Sequence, residues 1–196
     1  MILVTFAVPF ESAAFRRLPI SRTVRILHTG VGADAARVAM EAALCEELPE
    51  RVIASGFAGA LVPELAAGEI VTDATWGFAS ASEVLTTAEE KRAFREKTGA
   101  DVVEMETDAI REVCALAGVP VTALRAISDG AEDDLALPPE LLEALSRRPV
   151  LAAPRLLGTL LTDAARRKSF LRLVRDCRTA QQALARALAA EIEKSS

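Results

Sequence analysis

The sequence contains few of the residues that build disulfide frameworks and zinc sites. Its 196 residues include one histidine and three cysteines. Cys45, Cys114 and Cys177 are an odd number, lie far apart and form no C-x-x-C motif, so disulfides and zinc are both disfavoured. His28 closes an apolar run, where a strand-end role is expected rather than a ligand role. This cysteine usage fits a reducing cytoplasm, and neither a metal nor an organic cofactor is expected.

Long apolar runs are also lacking, although 51% of the residues are apolar. No stretch of about 18 residues is free of charged or polar side chains, which argues against a membrane-spanning helix. The apolar start, residues 1–17, has no cationic lead and no small-residue cleavage site. We therefore interpret it as a first core strand rather than a secretory signal. The length predicts one domain over residues 1–196.

Charge is unevenly distributed along the chain. Residues 147–178 contain nine Lys and Arg but only two acids, Asp163 and Asp176. Subtracting this excess from the net charge of −5 leaves −12 on the rest of the chain. This argues against a nucleic-acid partner, because phosphate neutralisation dominates that affinity. The basic C-terminal segment, about 138–196, is predicted to be helical, and its arginines either contact anionic lipid headgroups at a membrane surface or pair with the acidic body of the protein.

Short β-branched runs alternate with helical patterns along residues 1–135. Strands are predicted at 2–8, 25–30, 51–56, 68–76, 82–87, 101–105 and 119–128. Helices are predicted at 33–48 and 108–118, where apolar residues recur at spacings of three and four. The alternation predicts an α/β domain with a largely parallel sheet covered on both faces. Ligands of such sheets bind beyond the carboxyl ends of the strands, which here are residues 28–32, 55–59, 103–107 and 126–134.

Two of these strand ends are rich in glycine. Gly30, Gly32 and Ala35 match the G-x-G-x-x-A dinucleotide fingerprint, but the next strand ends without the acid that would bind the ribose of a nicotinamide cofactor. A nicotinamide site is therefore disfavoured. Backbone amides at this helix start can still approach an anion or a polar ligand closely, or the glycines serve a tight turn. Gly56 and Gly59 leave the same two alternatives open.

Acidic residues occupy the other two strand ends. Glu104 and Glu106 are two residues apart on an extended segment, so their side chains can point into one pocket. The alternative is that they favour the start of the following helix through its dipole. Asp129 ends an apolar strand directly after Ser128, where loss of solvent favours the protonated form that a general acid requires and the hydroxyl can orient the carboxyl group. A turn or helix-capping aspartate is the alternative.

Three segments, taken in order, resemble the superfamily of purine nucleoside phosphorylases and methylthioadenosine/S-adenosylhomocysteine nucleosidases. They are GVG (30–32), SGFAGALVPELAAGEIV (55–71) and VVEMETDAIREVCALAGVPVTALRAISDGA (102–131), and the resemblance covers about residues 1–135. The V-E-M-E block and R-A-I-S-D are its most specific parts. The C-terminal segment is similar to that of hopanoid-associated phosphorylases, a branch thought to release adenine from adenosylhopane. The resemblance implies a three-layer α/β/α sandwich with a mixed, twisted sheet, and a homo-oligomer.

The resemblance also implies an activity, cleavage of the N-glycosidic bond of a purine nucleoside of adenosine type with a modified 5′ position. It implies that Asp129 protonates purine N7 with the help of Ser128. Glu106 would accept hydrogen bonds from the ribose hydroxyls, with Glu104 as its support. Glu11 is the implied activator of the attacking water, one position before the family's catalytic glutamate. Further substrate contacts are expected at Met105, Gly59, Ala58, Phe57, Val84 and Gly32.

Three departures from the family pattern bear on the reaction. Phosphorylases bind phosphate through arginines of the early loops, whereas here the first loop has none and Arg37 lies well inside a helix. Arg125 is the remaining candidate, so water is favoured as the nucleophile and phosphate is the alternative co-substrate. Phe57 replaces a small polar residue of the methylthioadenosine nucleosidases. The segment after Trp76 is short, which leaves either an open 5′ side or a nucleoside-binding protein without activity.

Overall fold

In the part of the chain that the structure describes, the fold is built around one mixed β-sheet. The computed structural model describes residues 1–135 and 164–194. Its strands are β1 (Ile2–Phe6), β2 (Val24–His28), β3 (Arg51–Ala60), β4 (Ile70–Thr72), β5 (Phe78–Ser80), β6 (Val102–Glu104) and β7 (Val121–Asp129). Its helices are α1 (Pro9–Ser12), α2 (Ala33–Glu46), α3 (Ala88–Thr98), α4 (Thr107–Leu116) and α5 (Ala164–Glu193), with a 3₁₀ turn at Phe15–Arg17.

Strand β3 is the centre of the sheet. It pairs in parallel with β1 along residues 51–54 and with β7 along residues 52–59, and β2 extends the sheet beyond β1. Antiparallel pairs join β3 to β6 and β4 to β7, while β5 is parallel to β6. The sheet is therefore mixed but mainly parallel, as predicted. Strand β1 is buried at every position because helices cover both faces.

One edge of β3 opens between two neighbours. Residues 51–54 pair with β1 and residues 59–60 pair with β6, so in the described part of the chain residues 55–58 have no strand beside them on that edge. A backbone N–H without a ladder partner needs another acceptor. Here the Phe57 N–H donates to the Glu11 carboxylate at 2.9 Å. The candidate site lies at this opening.

Helices pack on both faces of the sheet and complete three layers. Alternate residues of a strand point to opposite faces, and in β1 Val4 and Phe6 pack with α5 whereas Leu3 packs with α2 and α4. The α5 layer contributes Ala180, Leu184, Leu188 and Ile192, and the opposite layer contributes Ala36, Met40, Ala43, Ile110, Val113 and Cys114. This three-layer α/β/α sandwich confirms the expected fold class.

The strand prediction was wrong for residues 82–87. The strand beside β6 lies earlier, at β5, and the threonines of this segment serve the start of α3 instead. The Thr87 hydroxyl accepts the Glu90 N–H at 3.2 Å, and the Glu90 carboxylate accepts the N–H groups of Thr86 and Thr87. This capping box fixes the first turn of α3, a helix absent from the sequence-based prediction. Two β-branched threonines therefore gave a misleading strand signal.

Helix α5 confirms the helical prediction from residue 164 onward, and the predicted helical residues 138–163 lie outside the described residues. One of its arginines pairs with the acidic body, since Arg172 lies 2.5 Å from Asp133 as well as 3.5 Å from Asp176. This contact supports self-pairing of the basic segment at that position. Within residues 1–135 and 164–194, no helix combines the length and the apolarity that crossing a membrane requires.

Candidate active site

A cavity of about 310 Å³ lies at the opening in the sheet, beyond the carboxyl ends of β1, β6 and β7. All four strand ends singled out from the sequence contribute to its wall. Its lining residues are Ala7, Val8, Phe10, Glu11, Val31, Phe57, Ala58, Gly59, Glu83, Val84, Leu85, Lys91, Val103, Glu104, Met105, Glu106, Ser128, Asp129, Leu135, Leu173 and Cys177. The wall is largely apolar, and most of its ionisable side chains gather in two groups, one around Arg125 and one around Lys91.

The first group, the arginine cluster, consists of Arg125, Glu104, Glu106 and Glu11. Arg125 lies in the middle of β7 with 1% of its surface exposed. Its Nη2 lies 2.5 Å from Glu104 Oε2 and its Nη1 lies 3.5 Å from Glu106 Oε2. A buried guanidinium needs such acids, since a charge without a partner is strongly unfavourable in the interior. The acids therefore surround one fixed positive charge under the floor of the cavity.

Glu104 is the ionised support of the arginine cluster. Its Oε2 accepts the Thr107 N–H at 2.7 Å, the Thr107 hydroxyl at 2.6 Å and the Glu106 N–H at 3.0 Å. The Ser80 hydroxyl donates to the other oxygen. Burial alone would raise the pKa of Glu104, but Arg125 and these donors outweigh burial and hold the pKa below its ordinary value. Glu104 therefore stays charged and braces the turn that carries Glu106.

Glu106 is placed differently, directly before α4. Its Oε1 accepts the Gly32 N–H at 2.8 Å. Burial raises the pKa of Glu106 to about 7 in spite of Arg125 and this amide, and the neighbouring Glu104 and Glu11 add to the rise. A carboxyl group with this pKa changes its charge near neutral pH. The glycine-rich helix start thus binds an anion, although the anion is a side chain of the protein.

Glu11 closes the open edge of β3. Its Oε1 accepts the Phe57 N–H at 2.9 Å and its Oε2 accepts the Val8 N–H at 3.1 Å. Burial raises the pKa of Glu11 above its ordinary value, although the backbone amides oppose the rise. The neighbouring Ser12 turns away, because its hydroxyl lies 2.8 Å from Nε2 of His28 at the end of β2. At this turn the Glu11 carboxylate lines the cavity.

Gly56 explains one of the two glycine-rich strand ends. Its φ of 142° lies in a region that residues with a side chain rarely adopt. A Cβ atom at this position would lie 2.8 Å from Arg125 Nη1 and 2.9 Å from Glu11 Oε1. The glycine is therefore needed for the close packing of the arginine cluster rather than for a turn.

The second group, the lysine pair, consists of Lys91 and Asp129. Lys91 lies in the first turn of α3 and has 1% of its surface exposed. Its Nζ lies 2.5 Å from Asp129 Oδ2, 2.8 Å from the Gly130 carbonyl oxygen and 3.0 Å from the Asp133 carbonyl oxygen. The other oxygen of Asp129 accepts the Ser128 hydroxyl at 2.6 Å. Both carboxylate oxygens of Asp129 therefore have a donor.

Most of the residues singled out from the sequence line one cavity, so that Asp129 and Glu106 open into the same space. Those in the wall are Asp129, Glu11, Ser128, Glu106, Met105, Glu104, Gly59, Ala58, Phe57 and Val84. Gly32 lies behind Glu106 and contacts it through its amide. Arg125 lies beneath the floor, where Glu104 and Glu106 engage its guanidinium. It offers no surface to a phosphate, which corrects the expectation that it binds one.

Sequence reasoning missed Lys91, the partner of Asp129. Lys91 lies 38 residues before Asp129 in the chain, on a helix of mostly charged residues. The available signal was its spacing of three from Phe94, which packs partly buried against a core cluster. Leu173 and Cys177 of α5 were also missed, because nothing in a long amphipathic helix marks one turn as a cavity wall.

Two of the three thiols have a pKa well above the ordinary value. Cys114 is buried on α4, and burial raises its pKa to about 11, while burial raises the pKa of Cys177 to about 12. Both therefore stay protonated and pack as small apolar residues. Among the residues that the structure describes, no three His, Cys, Asp or Glu side chains form a group that could hold a metal ion.

Comparison with known proteins assigns the chain to a family. The profile of the phosphorylase superfamily matches residues 6–74 and 77–161, which include every member of the arginine cluster and of the lysine pair. The chain belongs to the phosphorylase superfamily. The prediction of an enzyme of the nucleosidase or nucleoside phosphorylase class is confirmed at the level of this superfamily, and the hopanoid-associated branch stays a prediction. No curated protein matches the sequence.

Several solved structures share the fold of this superfamily member. Futalosine hydrolase of Helicobacter pylori strain 26695 aligns with a TM-score of 0.71 at 14% identity, over 98% of this chain and 97% of the other. A 5′-methylthioadenosine/S-adenosylhomocysteine nucleosidase from H. pylori, with butyl-thio-DADMe-Immucillin-A, gives a TM-score of 0.71, 14% identity and coverage of 98% and 97%. S-adenosylhomocysteine nucleosidase from Streptococcus pyogenes, with 5-methylthiotubericidin, aligns with a TM-score of 0.71 at 14% identity, over 100% of this chain and 97% of the other. At this identity the likeness establishes the fold.

Proposed function

We propose that the chain cleaves the N-glycosidic bond of a purine nucleoside, with water as the nucleophile. The observation that carries the proposal is a single cavity with two acids in different surroundings. Asp129 lies beside a hydroxyl and an ammonium donor, whereas Glu106 lies among further carboxyl groups. Two such acids can divide the work of glycoside cleavage. Asp129 passes a proton to the base, and Glu106 holds the ribose hydroxyls.

The Asp129 end of the cavity suits a departing purine. A purine expelled without a proton is a poor, anionic leaving group, whereas protonation at N7 lets it leave as a neutral molecule. A Cβ atom at Gly59 would lie 3.1 Å from Val103 Cγ1 and 3.2 Å from Asp129 Oδ2, so the glycine lets β3 pack closely against this carboxyl group in the cavity wall. Ser128 holds the other oxygen in place through its hydroxyl.

The Glu106 end of the cavity suits the sugar. As the C1′–N9 bond breaks, the ribosyl group becomes positively charged, and an ionised carboxylate that binds its hydroxyls stabilises this charge. The arginine cluster contains three carboxyl groups and one guanidinium, and this excess of acid stabilises a positively charged ribosyl group nearby. Met105 also lines the cavity, where its flexible side chain can pack against the ribose ring.

Water is favoured over phosphate because the cavity presents few free cations. In the described part of the chain its wall includes one cationic side chain, Lys91, which already binds three oxygens. Glu11 is the proposed base for the attacking water. Its raised pKa makes its carboxylate a stronger base than that of an ordinary glutamate. Phosphorolysis is the alternative within the same scheme.

An apolar 5′ substituent suits the mouth of the cavity. The rings of Phe10 and Phe57 make a T-shaped contact with their centroids 6.1 Å apart. Leu173 of α5 lines the same cavity. Phe10 keeps 49% of its surface exposed, which an apolar substituent could cover. One structure of similar fold is a nucleosidase for 5′-methylthioadenosine, which supports an adenosine-type substrate with a modified 5′ position. A lipid group at the 5′ position, as in the substrate of the hopanoid-associated branch, would be a larger apolar substituent of the same kind.

A panel of 5′-substituted adenosines tests the proposed reaction. Purified protein is incubated with adenosine and a series of 5′-alkylthioadenosines, with and without inorganic phosphate, and free base and sugar products are quantified. We expect free adenine and the unphosphorylated sugar, at rates that rise with the length of the apolar substituent. A sugar 1-phosphate would make phosphate the nucleophile. Absence of free base from every nucleoside would contradict the proposed activity.

A nucleoside-binding protein without activity is the second candidate. The observation that favours it is that Lys91 and Ser128 donate hydrogen bonds to both oxygens of Asp129, so neither oxygen of the proposed acid is without a protein partner. Calorimetric binding of a nucleoside without release of its base would select this candidate.

Assembly and location stay predictions, namely a single domain over residues 1–196, a homo-oligomer and the cytoplasm. Peripheral membrane contact through the basic C-terminal segment stays a prediction as well. Arg175 and Arg178 lie exposed on α5, which supports it, whereas the contact between Arg172 and Asp133 supports the alternative of self-pairing.

A further inference from the structure

Lys91 is a buried cation without a role in the reaction scheme above. Among the described residues, Lys91 and Arg125 are the cations with buried side chains. Arg125 is surrounded by the acids of the arginine cluster, whereas Lys91 contacts one acid, Asp129, at 2.5 Å. A lysine can give up a proton in a buried site, and a guanidinium cannot. The two cations therefore differ in the chemistry open to them.

The three hydrogen bonds of Lys91 accommodate two protonation states. Nζ donates to the Gly130 carbonyl at 2.8 Å, to the Asp133 carbonyl at 3.0 Å and to Asp129 Oδ2 at 2.5 Å. A neutral amine keeps two N–H groups and gains a lone pair. If the proton that points at Asp129 moves onto the carboxylate, both carbonyls keep their donors and the lone pair accepts the new O–H. No hydrogen bond is lost.

While Lys91 is an ammonium, Asp129 accepts one hydrogen bond at each of its two carboxylate oxygens. The Ser128 hydroxyl occupies Oδ1 at 2.6 Å and the Lys91 ammonium occupies Oδ2. Of these two donors, an ammonium is a far stronger acid than an aliphatic hydroxyl. The nearest proton for a departing base is thus on Lys91.

We propose that Lys91 is a positioning residue that supplies the proton which Asp129 hands to the purine, an inference that rests on the proposed function. As the C1′–N9 bond breaks, its electron pair goes to the purine. The Lys91 ammonium protonates the Asp129 carboxylate, and the resulting carboxyl group protonates purine N7. Lys91 is left as a neutral amine and regains a proton from water after the base departs. Because a purine anion is about as basic as an alkylamine, the overall transfer is close to balanced.

Other titratable groups around the lysine pair have partners of their own. Those on neighbouring elements include Asp133 (with Arg172), Asp176 (with Arg172 and Arg175), Glu132 (with Arg92), Asp134 (with the amide of Ala88) and Glu90 (with the amides of Thr86 and Thr87). Cys177 interacts with Asp129 from α5, but burial raises the pKa of its thiol to about 12 and keeps it neutral. Asp129 is therefore the acceptor in place for the Lys91 proton.

Lys91→Met and Lys91→Arg, assayed with two leaving groups, test the proposal. One substrate is a purine nucleoside that the wild type cleaves, and the other is 4-nitrophenyl β-D-ribofuranoside, whose nitrophenolate leaves without a proton. We expect kcat for the purine nucleoside to fall about 100-fold in both variants, and the loss on the nitrophenyl riboside to be about 30-fold smaller. Arginine keeps the charge but has no proton to give. Purine turnover by Lys91→Arg near the wild-type rate, or equal losses on both substrates, would overturn the proposal.

The pH dependence of kcat is a second readout. If Lys91 had only a structural role, its replacement would leave the shape of this pH profile unchanged. Without Lys91 the proton must come from solution, so the ratio of Lys91→Met to wild-type kcat should fall about tenfold per pH unit between about pH 6 and 8. A constant ratio would overturn the proposal. A wild type that releases no base from any nucleoside would overturn the proposed function and this inference together. Base release by the wild type with unaffected Lys91 variants would overturn the inference alone.

Discussion

The arginine cluster and the lysine pair each contain one buried cation, but they differ in the number of acids around it. Arg125 has Glu104 at 2.5 Å and Glu106 at 3.5 Å, whereas Lys91 has one acid and two neutral carbonyl oxygens. Burial raises the pKa of Glu106 to about 7 and the neighbouring Glu104 and Glu11 add to the rise, while Glu104, next to the guanidinium, stays ionised. A single acid and amine form a balanced pair instead. The arginine cluster holds negatively charged carboxylates where the sugar is proposed to bind, and the lysine pair can transfer a proton.

Removal of the guanidinium should have the largest effect on stability. Arg125→Met leaves Glu104 buried without its cation, so we expect the free energy of unfolding to fall by about 3–5 kcal/mol. Urea denaturation followed by circular dichroism measures this loss. Arg25→Met is the matched control, because Arg25 pairs with Glu46 at the surface and should contribute less than about 1 kcal/mol. Similar losses in both variants would contradict a buried charge centre at Arg125.

The excess acid of the arginine cluster should produce a smaller, pH-dependent effect. Burial raises the pKa of Glu106 from 4.5 to about 7, so between these values the folded protein binds more protons than the unfolded chain. The contribution to stability is full below about pH 4.5 and is lost as pH rises through about 7, by about 3 kcal/mol. Urea denaturation from about pH 5 to 8 should show a smaller decline for Glu106→Gln than for wild type. Glu112→Gln, which changes an exposed carboxyl group, should keep the wild-type decline, and the same decline in all three proteins would refute the assignment.

Glu104, Glu106 and Asp129 could be predicted from the sequence because each lies at or just beyond a strand end, whereas Glu11 was expected only from the family resemblance. The pairs Glu104–Glu106 and Ser128–Asp129 are local patterns, and the carboxyl ends of strands are where α/β sheets bind ligands. The contact of Lys91 with Asp129 joins positions 38 residues apart, and no local pattern reports it. Arg125 was considered only as a candidate for binding phosphate, and its strand alone does not reveal the acids that neutralise it.

The fold shows the same division between local and distant information. Helices α2 and α4 were predictable from apolar residues at spacings of three and four, and the buried strands from β-branched runs. Helix α3 was not, because its residues are mostly polar and its start contains two threonines that resemble a strand. The opening beside residues 55–58 depends on which strands pair with the two ends of β3. The sequences of the strands do not by themselves specify these pairings.

The most direct test of the account compares the two ends of the cavity in one experiment. Asp129→Asn and Glu106→Gln are assayed with a purine nucleoside and with 4-nitrophenyl β-D-ribofuranoside, which share the ribose but differ in their need for a proton. We expect Glu106→Gln to lose about 100-fold in kcat/KM on both substrates, because both present the same sugar. Asp129→Asn should lose about 100-fold or more on the purine nucleoside and about 30-fold less on the nitrophenyl riboside. Equal losses of Asp129→Asn on both substrates, or purine turnover at the wild-type rate, would contradict the claim that Asp129 protonates the base while Glu106 holds the sugar.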